Sequence, residues 1–105
     1  MFVTLRILQA RAGEEDAIIA LHEDWQRNQK PGVGVAFFCW ELLRNIKAPR
    51  EFITIMHCEN EDLAQAMAKD LEQDAWFVRL RSLLEAEPVE LVCSNEWRIC
   101  SNSKE

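Results

Sequence analysis

The sequence predicts an α+β domain of order β-α-β-β-α-β, an antiparallel sheet carrying both helices on one face. Three observations predict it. Residues 36–59, AFFCWELLRNIKAPREFITIMHCE, hold two apolar runs, 36–43 and 52–56, on either side of a polar stretch. Two longer segments, 14–29 and 61–86, repeat apolar residues at helical spacing. Short apolar runs rich in Val, Leu and Ile stand at residues 2–9 and 89–93.

In the first strand, FVTLRILQ, Val3, Leu5 and Ile7 line one face and Phe2, Thr4, Arg6 and Leu8 the other. Residues 10–13 turn, with Gly13 suited to a left-handed backbone. The first helix follows over 14–29. Glu14, Glu15 and Asp16 place negative charge at its N-terminal end, where the helix dipole favours it. Ile18, Leu21, His22 and Trp25 share its buried face, and Pro31-Gly32 stops it.

The central hairpin comes next. Asn45, Lys47, Pro49 and Arg50 suit its turn and cannot continue a buried strand. Its strands are apolar on both faces, whereas a half-solvated antiparallel strand alternates apolar and polar. The pattern predicts a layer on each side: the chain's own helices on one, a second copy on the other.

Asn60 caps the second helical segment, with Glu61 and Asp62 in its first turn. Leu63, Ala66, Met67 and Leu71 form its apolar face. The run DLEQD at 70–74 predicts a break, after which Trp76, Leu80, Leu83 and Leu84 resume the periodicity. Pro88 ends the helix. Val89 opens the last strand, which residues 97–100 extend or carry across to a partner. This order is the split β-α-β, ferredoxin-like arrangement. The open sheet face predicts a homodimer.

At 105 residues the chain is long enough for one core and one domain, residues 1–100, with a polar tail at 101–105. Eighteen acidic against 12 basic residues, and no basic patch, argue against a nucleic-acid partner. No stretch reaches the length of a membrane span. MFVTLRIL carries Arg6 inside its apolar run and does not read as a secretory leader. Cys39, Cys58, Cys93 and Cys100 lack CxxC spacing and sit among apolar residues, so the expectation is free thiols in a cytoplasmic protein. The alternative is a Cys39–Cys58 pair across the hairpin.

The order of short motifs resembles the antibiotic biosynthesis monooxygenase domain, a branch of the dimeric α/β-barrel superfamily. The resemblance runs over roughly residues 2–92. It rests on Ala12-Gly13-Glu14-Glu15 at the first helix start, Pro31-Gly32, and Trp40-Glu41-Leu42-Leu43-Arg44 in the second strand. Pro49 before Phe52, the cap Asn60-Glu61-Asp62 and the step Trp76-Phe77 complete it. It implies two ferredoxin-like subunits packing their sheets into a barrel, with a pocket between sheet and helices in each. It also implies oxidation of aromatic or quinol substrates by dioxygen with no metal or flavin. The chain differs from the family's pattern at Met56 and Cys58, where Glu and Trp are usual, and at Trp76, where His is usual. It has no Tyr, and Arg81 stands where the haem-degrading branch has a histidine ligand, which argues against haem.

The candidate catalytic residues are His22 and His57. Either imidazole as base would deprotonate a phenolic substrate. Trp25, Trp40, Trp76 and Phe77 are candidates for stacking a flat substrate, and Arg79 for holding its oxyanion. The structural alternatives are a packed histidine, tryptophans filling core and dimer interface, and a surface ion pair for Arg79. Two histidines without a carboxylate cluster predict no metal site. The two functions expected are therefore a cofactor-independent monooxygenase-like enzyme acting on an aromatic small molecule, or a non-catalytic homodimeric ligand-binding or structural module.

Overall fold

The computed structural model describes residues 2–28, 39–72 and 75–99. They form four strands and three helices: β1 (Phe2–Gln9), α1 (Glu15–Asn28), β2 (Cys39–Arg44), β3 (Glu51–Cys58), α2 (Glu61–Glu72), α3 (Ala75–Ser82) and β4 (Val89–Ser94). The sheet order is β2-β3-β1-β4 with every neighbouring pair antiparallel. This is the expected ferredoxin-like α+β fold.

Local chemistry accounts for the boundaries. Gly13 adopts φ 88° in the β1–α1 turn, a left-handed value that disfavours other residues. Glu14 then caps α1, its carbonyl accepting the Ile18 amide at 3.2 Å. In the hairpin turn the Asn45 carboxamide accepts the Lys47 amide and donates to Glu51, at 2.9 and 2.7 Å. The Asn60 carbonyl accepts the Ala64 amide at the start of α2.

The second helical segment breaks as expected, α2 ending at Glu72 and α3 beginning at Ala75. Four expectations are corrected or bounded. Helix α3 stops at Ser82, well before Pro88, because Leu83 and Leu84 leave the helix to pair with the end of β1: Leu83 carbonyl accepts the Arg11 amide at 2.9 Å, and Leu84 bridges to Ala10. On α2 Ala64 is buried, while Ala66, expected on the apolar face, is exposed. Trp97 and Ile99 lie beyond the last strand and are exposed, so they do not extend β4. Residues 36–38 of the predicted hairpin, Cys100 and the tail lie outside the described residues.

The register decides which side of each strand is covered. Thr4, Arg6 and Leu8 of β1, and Phe52, Thr54, Met56 and Cys58 of β3, are buried beneath the helices. There they join Ile18, Leu21, Trp25, Trp76, Phe77, Leu80 and Leu84 in one core. The opposite face carries Val3, Leu5, Ile7, Ile53 and Ile55, all only partly covered, and Leu43 and Leu91, which are 45% and 48% exposed. Thus β1 buries its more polar face and leaves its aliphatic face open.

The same register removes the disulfide alternative. Cys39 stands opposite His57 on the open face, while Cys58 points into the core, and both are free thiols.

Candidate functional site

The site grows from α1. Ile18, Leu21, His22 and Trp25 point toward the sheet as their spacing requires, and His22 lies between two indoles. Its ring centroid is 5.5 Å from Trp40 and 5.0 Å from Trp76, both edge-on. Trp25 and Trp40 lie 4.8 Å apart, and Trp40 and Trp76 5.6 Å. Four predicted site residues, His22, Trp25, Trp40 and Trp76, therefore form one cluster, supplied by α1, β2 and α3. Trp76 is fixed in it by its indole N–H, which donates to the Leu21 carbonyl at 2.9 Å.

The chemistry of His22 follows from its two nitrogens. Nδ1 lies 2.8 Å from the Ile18 carbonyl. A carbonyl only accepts, so Nδ1 carries the proton and Nε2 of the neutral ring keeps its lone pair. Nε2 is buried and has no hydrogen-bond partner among the described residues. Burial pushes the imidazole pKa below its ordinary value; the hydrogen bond that Nδ1–H donates to the Ile18 carbonyl opposes this, and the positive charge of Arg6 adds to the lowering. The ring is therefore a neutral acceptor in an aromatic enclosure.

Two buried polar residues of β1, not among the predicted site residues, lie on the same helix-covered face of the sheet as Trp40. Arg6, only 3% exposed, forms an ion pair with Glu90 on the neighbouring strand. Its guanidinium also lies 4.9 Å from the centre of the Phe77 ring. Thr4 Oγ1, one pleat along the same face, is buried without a hydrogen-bond partner among the described residues. The alternation of β1 marked both as sharing a face with Leu8. What it lacked was the sign of that face, since the aliphatic Val3, Leu5 and Ile7 look like the better core.

Phe77 is buried, its ring under the Arg6 guanidinium. Arg79 is 62% exposed, 3.9 Å from Asp24, and lies at the surface as an ion-pair partner. His57 is not part of the cluster. It stands on the open face, its Nε2 4.0 Å from Glu41 Oε1. There Cys39, Glu41 and His57 bring three possible metal-ligand atoms within 4.8 Å of one another. The thiol, the carboxylate and the imidazole meet because strand register pairs Cys39 with His57, 18 positions apart in sequence.

A comparison with protein-family models finds no match, and no curated protein sequence matches. Solved structures do. A protein from Deinococcus radiodurans named "putative antibiotic biosynthesis monooxygenase" superposes with TM-score 0.73 at 13% identity, covering 96% of this chain and 98% of that one. The chain shares the ferredoxin-like α+β fold of that protein. A second protein of that name, from Nitrosomonas europaea, gives TM-score 0.67 at 12% identity over 92% of this chain and all of the other. A NIPSNAP family protein from Agrobacterium tumefaciens gives 0.63 at 19% identity over 89% and 90%. At these identities the likeness is one of fold, and the chemistry must be argued from the residues.

Proposed function

We propose that the chain binds a flat phenolic or quinol molecule against the Trp25–Trp40–Trp76 cluster and acts on it as a cofactor-independent monooxygenase. The observation that carries this reading is His22 Nε2, a buried acceptor whose lone pair has no hydrogen-bond partner among the described residues. A substrate hydroxyl donates to it, and the ring takes the proton as the phenolate forms. The buried Arg6 guanidinium favours that negative charge, although Glu90 offsets part of its field. The electron-rich ring then reduces dioxygen. One oxygen atom enters the substrate as a carbonyl, and the other leaves as water with the two hydrogens the substrate loses. A second copy covers the open sheet face, giving a dimeric barrel.

Oxygen uptake with a panel of hydroquinones and anthrones tests the proposal. Consumption above buffer by the natural chain, lost in His22→Gln, is the expected result; no consumption across the panel overturns it.

One observation favours a second reading, a ligand-binding or structural module without turnover. The indoles already pack edge-on against His22, as core rings do. In that case phenols quench tryptophan fluorescence without oxygen uptake, or do neither.

A further inference from the structure

We infer that Cys39, Glu41 and His57 form a binding site for a zinc-class divalent cation on the open face of the sheet, separate from the His22 cluster. Cys39 and His57 are register partners on β2 and β3, and Glu41 is two residues along β2 on the same face. The three ligand atoms lie within 4.8 Å of one another. Tetrahedral zinc, with bonds of about 2.0–2.3 Å, holds its ligands about 3.5 Å apart. Side-chain rotation closes that gap, with no movement of the paired strands.

The donor set selects the ion. A thiolate and an imidazole suit zinc and its d-block neighbours. Calcium and magnesium need mainly oxygen ligands, and the trio offers only the Glu41 carboxylate. Three protein ligands leave a fourth position for water. Binding releases the Cys39 thiol proton to solvent, so thiolate, carboxylate and divalent cation sum to zero charge. A neutral cluster suits this face, whose other residues include Leu43, Ile53 and Ile55. Without the ion, the Glu41 carboxylate stands on the same surface with His57 Nε2 4.0 Å away. The ion also ties edge strand β2 to β3.

Cobalt titration of the full chain, followed by absorbance, tests the inference. One equivalent of Co2+ is expected to produce a thiolate-to-metal charge-transfer band and four-coordinate d–d bands, displaced by Zn2+. Cys39→Ser abolishes the charge-transfer band. His57→Gln and Glu41→Gln weaken zinc binding by at least about tenfold. Cys93→Ser, a change on the same face but outside the trio, leaves both unchanged. Zinc raises the melting temperature of the natural chain and not of Cys39→Ser. Absence of the charge-transfer band, its survival in Cys39→Ser, or its loss in Cys93→Ser each overturns the site.

Discussion

His22 joins sequence position, burial and proton chemistry in one residue. Its pKa lies below the ordinary value of 6.5, chiefly through burial. Above pH 6.5 the ring is neutral in folded and unfolded chains alike. As pH falls through that value the unfolded chain takes up its proton first, so stability drops until the folded ring is protonated too. Urea midpoints measured from about pH 7.5 down to pH 5 should therefore fall in the natural chain, with a shallower fall in His22→Phe. Equal slopes would mean that the ring is not held neutral. Arg6 poses a related question for a buried cation that stays charged. Removing its partner leaves a buried guanidinium uncompensated, so Glu90→Gln should destabilise the fold by about 3 kcal/mol. The double change Arg6→Met, Glu90→Leu should cost much less, because it removes both desolvation penalties. Denaturant titration of the three proteins separates these outcomes. If the double variant keeps any phenol oxidation at the full natural rate, Arg6 has only a structural role.

At the scale of elements, the strands and helices were legible because local chemistry agreed with the packing. Gly13 takes the left-handed turn, Asn60 caps α2, and the stripe Ile18, Leu21, His22, Trp25 faces inward. Two things were not legible, and both depend on pairing between distant segments. Helical periodicity carried Leu83 and Leu84 into α3, but the free backbone at the end of β1 takes them into a bridge. The Cys39–Glu41–His57 meeting depends on hairpin register, which a one-residue slip would abolish. The identity of Trp76 as a packing hinge was half legible. Its periodic position announced burial, while its hydrogen bond to Leu21 required knowing that α3 crosses α1. Trp76→Phe removes that bond and part of the ring, which predicts a loss of about 1–3 kcal/mol by urea unfolding. A loss near zero would show that α3 docks on α1 without it. In either case tryptophan emission should change, since Trp76 is one of the rings around His22.

For the whole molecule, the decisive asymmetry is between the two faces of one sheet. The helices cover Thr4, Arg6 and Thr54, while Val3, Leu5, Ile7, Ile53 and Ile55 remain on the other side. Among the described residues no helix is long and apolar enough to cross a membrane. The area of the aliphatic face, spread over all four strands and continued by Leu43, Val89 and Leu91, is of the kind that a symmetric partner covers. A homodimer through this face predicts a sedimentation mass of twice 12.2 kDa at micromolar concentration. Ile55, paired with Leu5 near the middle of the sheet, is the place to break it. Ile55→Arg sets a charge into the centre of the proposed interface while leaving the helix-covered core untouched. The expected result is a folded chain of 12.2 kDa with an unchanged far-ultraviolet spectrum. A natural chain that already sediments at 12.2 kDa would refute the dimer, and the open face would then need a different partner.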